Sequence, residues 1–239
     1  MIELNGRNCF PAAVAPIIIL AVARQAPAQS AAVPYPKMAA IDQYLMMEDA
    51  ELALARSAAP ESISKDADVL VLDRHGYGTA IKGHNGFVCA VQRSWTAGLE
   101  DPDFWNPKLR APICFNAAAA RSYLPRIVKR TQFVLAEKTK EQLPAEMRAA
   151  FEAKEIPAIE PGAMGYMLSK QGYLGDRAGH WHPHIMIFFP QAELVEWGAN
   201  LPGSPIFGSS DATDRVTVFF IPVAKWSDGS ADSSDGGSH

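Results

Sequence analysis

The chain has 239 residues, 48% of them hydrophobic and 20% charged, with a formal net charge of -4. That length allows one large domain or two small ones, and the composition supplies a buried core. The only basic concentration is spread over 121–140, which argues against a nucleic-acid-binding surface.

The N-terminus has the pattern of a secretory signal. Arg7 precedes an apolar run over 10–23 that contains Ile17-Ile18-Ile19-Leu20, and small residues around Ala26-Pro27-Ala28-Gln29-Ser30 follow. We expect residues 1–30 to be cleaved after Ala28 or Ser30. The run is short for a membrane span and ends at Arg24, so no stable span is expected after cleavage. The competing readings are an uncleaved anchor and a mis-set start codon. Cys9 follows Arg7-Asn8, unlike a lipid-attachment site. Cleavage removes one acidic and two basic residues, leaving the mature chain slightly more acidic, and points to a periplasmic or secreted location. It leaves Cys89 and Cys114, which in an oxidising compartment suggest one disulfide; a pair of buried thiols or one reactive thiol are the alternatives.

A Pro-rich extended stretch over 31–37 leads to a helix expected over 38–57, stopped by Pro60. Residues 68–95 read as a β-meander, with strands over 69–72, 77–82 and 87–93. Its turns are at Asp73-Arg74-His75-Gly76 and at Asn85-Gly86, the latter a two-residue hairpin signal. Residues 96–113 read as a long loop held down by Phe104, Trp105 and its prolines. Asn116 is the expected N-cap of a helix that Pro125 kinks or restarts and that continues to about residue 142. A further helix is expected over 144–153. Strands follow over 163–169, 182–189 and 215–224, separated by a Gly-rich loop over 170–179, a helical turn over 193–197 and a loop over 200–211. The tail over 227–239 is expected to be disordered. The elements give α+β, a mainly antiparallel sheet with a β-meander and several packed helices, as one domain over 31–226.

The chemistry concentrates at Gly179-His180-Trp181-His182-Pro183-His184, where half of the six histidines sit at alternate positions. On a straight strand His180 and His182 are about 6.6 Å apart at Cα and share a side, whereas His180 and His184 are about 13 Å apart. Neighbours can share one ion through bonds of about 2.1 Å; all three can only if the chain bends at Pro183 or Gly179. The candidate metal set is His180, His182, His184 and His84, with His75, Asp73 or Asp176 as further ligands and a divalent transition metal such as zinc as the cofactor. A small ligand at the same row is the other binding reading. A metal-dependent hydrolase using these histidines, or a non-catalytic envelope module with the histidines merely on its surface, are the alternatives. Trp181 is expected to point away from them on a regular strand.

Other motifs carry less. Asp73-Arg74-His75 has the spacing of a polar turn. Ser62-Ile63-Ser64-Lys65 matches Ser-x-x-Lys without its supporting elements. Nucleophile-elbow, zincin, phosphate-loop and dinucleotide patterns are absent from the sequence.

The segments His84-Asn85-Gly86-Phe87-Val88-Cys89, Phe104-Trp105-Asn106-Pro107, Ser169-Lys170-Gln171-Gly172-Tyr173-Leu174-Gly175-Asp176, the histidine row, and Trp197-Gly198-Ala199-Asn200-Leu201-Pro202-Gly203-Ser204 resemble a family of uncharacterised secreted bacterial proteins. The resemblance covers most of the mature chain. It implies export and a single domain, and it carries over no catalytic residue.

Overall fold

The continuous apolar run Val69-Leu70-Val71-Leu72 within Asp68–Asp73 forms strand β1, which folds back antiparallel onto β2, Gly76–Ile81. The turn between them uses Gly76 at φ 127°, a backbone region that favours glycine, and the His75 N–H donates to Asp73 Oδ1. The structure is a computed structural model that describes residues 34–176 and 181–233. The expected signal segment and the start of the Pro-rich stretch lie outside the described residues, as do His180 and residues 234–239.

The third strand does not complete a meander. β3, Val88–Gln92, lies on the other side of β1 and runs parallel to it. A two-residue hairpin of type I′ needs positive φ at both central residues, and here only Gly86 has it, at 79°. Asn85 instead accepts from the Phe87 N–H and donates to the Ile63 carbonyl. Those bonds, with the His84 and Asn85 N–H groups on the Asp66 carbonyl, carry the chain past the start of β1.

Five more strands complete one eight-stranded sheet: β4 (Ala111–Phe115), β5 (Met164–Met167), β6 (His184–Phe189), β7 (Phe207–Asp211) and β8 (Val216–Pro222). The order is β2-β1-β3-β4-β5-β6-β8-β7, antiparallel at every pairing except β1 with β3. β4 and β7 occupy stretches expected to be loop. Pro112 within β4 is tolerated by register. Its neighbour Cys114 sits 4.0 Å at Cα from Cys89, the spacing of a non-hydrogen-bonded pair, so Pro112, two residues away, also needs no N–H toward β3. On the other side the β5 ladder stops at Cys114.

The helix expected over 38–57 is shorter. A single 3-10 turn at Ile41–Gln43 precedes an extended Met47, and α1 runs over Glu48–Arg56 with three acids in its first turn. Tyr44 interrupts it: the ring is fully buried and its hydroxyl donates to the Trp105 carbonyl. A one-turn α2, Glu61–Ser64, follows Pro60. Asn116 caps α3, Ala117–Ser122, by accepting from the Ala119 N–H, as expected. Pro125 falls in the first turn of α4, Leu124–Leu135, where it lacks no needed donor. α4 ends well before residue 142, at a turn with Glu137 at φ 59°; α5 is Leu143–Glu152.

The two sheet faces bury different layers. Val69, Cys89, Val91 and Cys114 pack against Leu54 and Ala55 of α1. Leu70, Ala90, Ile113, Phe115 and Phe188 pack against Tyr123, between α3 and α4, and Leu124 and Ile127 of α4. The Cys89–Cys114 disulfide is formed and joins β3 to β4, with both residues fully buried. A buried ion pair fastens α1 to the C-terminal ends of β1 and β3. Arg93 donates to Glu51 Oε2 and to the Tyr44 and Val91 carbonyls, while Glu51 Oε1 accepts from the Leu72 N–H. No helix among the described residues is long and apolar enough to cross a membrane.

The disorder expected from residue 227 is corrected for 227–233. Lys225 bridges Ala231, the Trp226 N–H donates to the Ser230 carbonyl, and Asp228 pairs with Lys170. Asp232, its side chain only 6% exposed, bonds His182.

Candidate ligand-binding site

β6 begins at His184, so His182 and His184 do not share a regular strand. His182 lies before the strand, exposed, with Nδ1 2.7 Å from Asp232 Oδ2. His184 is in the strand and partly buried. Its Nδ1 is 2.9 Å from the His182 carbonyl oxygen, which can only accept, so Nδ1 carries the proton and Nε2 holds the lone pair. Burial pushes the His184 pKa down, and the His182 carbonyl opposes this, so the neutral ring is favoured. Trp181 does not point away. Because regular strand geometry starts only at His184, its ring meets His184 edge-on at 5.2 Å, and Phe220 also meets the His184 ring, at 5.6 Å.

Beyond His182 and His184, the described members of the expected metal set are not gathered here. His84 lies in the β2–β3 connection, its side chain 79% exposed and 3.9 Å from Asp66. Between β3 and β6 lie three strand spacings, about 14 Å of sheet. Asp73 and His75 form the β1–β2 turn, and Asp176 accepts from Tyr35 and Tyr173. Among the described residues, no three His, Cys, Asp or Glu side chains are grouped to hold one ion. Ser62 and Lys65 lie on and just after the one-turn α2.

His184 instead lines a cavity of about 660 Å³ on the α3/α4 side of the sheet. The floor is the sheet face itself: Gln92 and Ala111 at one end, Met167 and Met186 in the middle, Val218 and Phe220 beyond. One wall is the loop over 96–101, the other the β7–β8 turn over 211–214. Such a volume suits a small organic molecule, and the floor is mainly apolar.

Two polar side chains on that floor are incompletely satisfied. Gln92 is 7% exposed; its Oε1 accepts a long bond from Thr96, and its Nε2 finds no partner among the described residues. His184 Nε2 is buried and likewise without a partner. Leaving a buried donor or acceptor unmade costs about 1–3 kcal/mol, so such atoms invite a ligand or a bound water.

The walls are held by Arg130 of α4. Its guanidinium donates to Asp214 Oδ1 at 2.8 Å and lies 3.5 Å from Asp211 Oδ2 in the β7–β8 turn. It also donates to the Ala97 carbonyl at 3.0 Å in the opposite loop. Burial raises the Asp214 pKa above the ordinary carboxylate value, and Arg130 offsets only part of that rise. Burial also pushes up the pKa of Tyr123, which lines the cavity as a neutral phenol.

Sequence reading located His184 but missed Gln92, Arg130, Asp211 and Asp214. The only local sign was Gln92-Arg93, a polar pair closing an otherwise apolar strand. A second cavity of about 580 Å³ lies between residues 36–41 and the end of α4. Its Arg74 pairs with Asp42 and its Lys138 with Glu146, and none of its lining side chains carries an unpartnered buried polar atom. No protein-family model, curated protein or solved structure matches the chain.

Proposed function

We propose that this is an exported protein that binds a small, largely apolar organic molecule in the cavity over β3–β8, with His184 and Gln92 as its polar anchors. The observation that carries this reading is the pairing of a ligand-sized cavity with two buried, unpartnered side-chain nitrogens on its floor. Nε2 of His184 offers an acceptor and Nε2 of Gln92 a donor, so a ligand presenting the complementary pair satisfies both. Export is supported by the signal-like N-terminus and by the buried disulfide, since such bonds persist in oxidising compartments.

The test is fluorescence titration with the neutral apolar probe N-phenylnaphthylamine. Saturable enhancement near one equivalent is expected. It should be lost in Ala97→Trp, which fills the cavity from its wall without touching the sheet floor. No enhancement, or enhancement unchanged in Ala97→Trp with native thermal unfolding, overturns the reading.

A further inference from the structure

From the charges around the cavity we infer that its ligand is an amphiphilic cation, an apolar body carrying a protonated amine; this rests on the binding reading above. Four carboxylates line the cavity, Glu100 and Asp101 on one wall and Asp211 and Asp214 on the other, and no Lys or Arg does. Arg130 lies behind the wall and neutralises part of this charge through Asp214 and, at longer range, Asp211. Glu100 is exposed and forms no ion pair among the described residues. Asp101 spends one oxygen on the Asp103 N–H. Arg126, also behind this wall, donates to the Asp214 carbonyl, so four carboxylates face two guanidiniums; the net field at the mouth is negative, and the apolar floor beneath it strengthens that field.

The floor agrees with the rim. Gln92, more than nine-tenths buried, lines the floor with its amide nitrogen unpartnered among the described residues; as a donor it takes an acceptor on the body of the ligand, away from the ammonium. His184 lines the same floor and, with its neutral ring favoured, adds no positive charge to repel a cation. An anionic ligand would face four carboxylates with no basic side chain to receive it. A neutral ligand would use the floor but leave the rim unused.

The experiment displaces N-phenylnaphthylamine from the whole protein with three molecules of equal chain length: octylamine, octanol and octanoate. Octylammonium is expected to displace the probe at about tenfold lower concentration than octanol, and octanoate to be weakest. The advantage of the cation should shrink with added salt. It should also shrink in Glu100→Gln/Asp101→Asn, which keeps the side-chain shapes and the Asp103 N–H bond. Equal or better displacement by octanoate overturns the inference, as does a cation preference unchanged in that variant. A probe that binds without this charge order refutes the cation alone. A protein that binds neither the probe nor any of the three refutes the cavity reading and the inference together.

Discussion

The Nδ1–H of His184 donates to the carbonyl oxygen of His182, 2.9 Å away, across the single residue Pro183. This bond fixes the ring's tautomer and leaves Nε2 as the basic nitrogen of the cavity floor. Burial lowers the folded pKa below the ordinary 6.5, so the unfolded chain takes up the proton first as pH falls. The contribution of His184 to stability is complete above about pH 6.5 and is lost progressively below it, down to the folded pKa. Urea midpoints compared between about pH 7.5 and about pH 5.5 should therefore fall more in the wild type than in His184→Gln. An equal fall in both would show that His184 is not titrating as its burial requires.

Arg130 joins α4 to both cavity walls, so its removal should loosen the site as well as the fold. Truncating one partner of a buried ion pair leaves the other charge uncompensated, at a cost of about 3–5 kcal/mol. Arg130→Met strands Asp214 and frees the Ala97 carbonyl. We expect a loss of about 3 kcal/mol by urea denaturation, with Arg130→Met/Asp214→Asn recovering part of it. Losses that simply add in the double variant would mean that the pair is not coupled.

Much of the frame was legible because it is written locally. The β1–β2 hairpin, the Asn116 cap, the Pro125 restart and the strands around 184–189 and 216–222 each follow from a few adjacent residues. What was not legible depends on distant partners. β7, Phe207–Asp211, is Gly- and Ser-rich and exists as a strand through pairing with β8 alone. The crossover of β3 to the far side of β1 is set by the Asp66 carbonyl and the Asn85 side chain, not by turn type. Period-two spacing of histidines suggested one face, but Pro183 precedes the strand and only His184 enters it. Gln92 and the acids of the β7–β8 turn line one cavity with His184 across several strands, which no window of sequence displays.

The disulfide offers a cleaner stability measurement. Cys89 and Cys114 are directly opposed on adjacent strands and close a loop of sequence separation 25. Chain-entropy arguments put the cross-link at about 3 kcal/mol. Cys89→Ala/Cys114→Ala should lose roughly that amount, slightly more if the small cavity left between α1 and the sheet does not collapse. Thiol labelling of the denatured, unreduced wild type should find no free thiol at either position. Labelling at both would contradict the bond.

Gln92→Leu separates a binding role for Gln92 from a structural one. Among the described residues the amide nitrogen is buried without a partner, and its oxygen accepts only a 3.4 Å contact from Thr96 Oγ1. Leucine has a similar volume and removes the unmet donor, so stability should stay level or rise by up to about 1 kcal/mol. A ligand that accepts a hydrogen bond from this nitrogen would lose it, and its affinity should drop by about fivefold to tenfold, while the neutral probe N-phenylnaphthylamine, held by the apolar floor, should bind much as before. Were Gln92 there to brace the 96–101 loop through Thr96, the same substitution would instead lower the unfolding midpoint and weaken every ligand alike. The measurements are one urea titration and two binding curves on the same variant, and the sign of the stability change decides between the two roles.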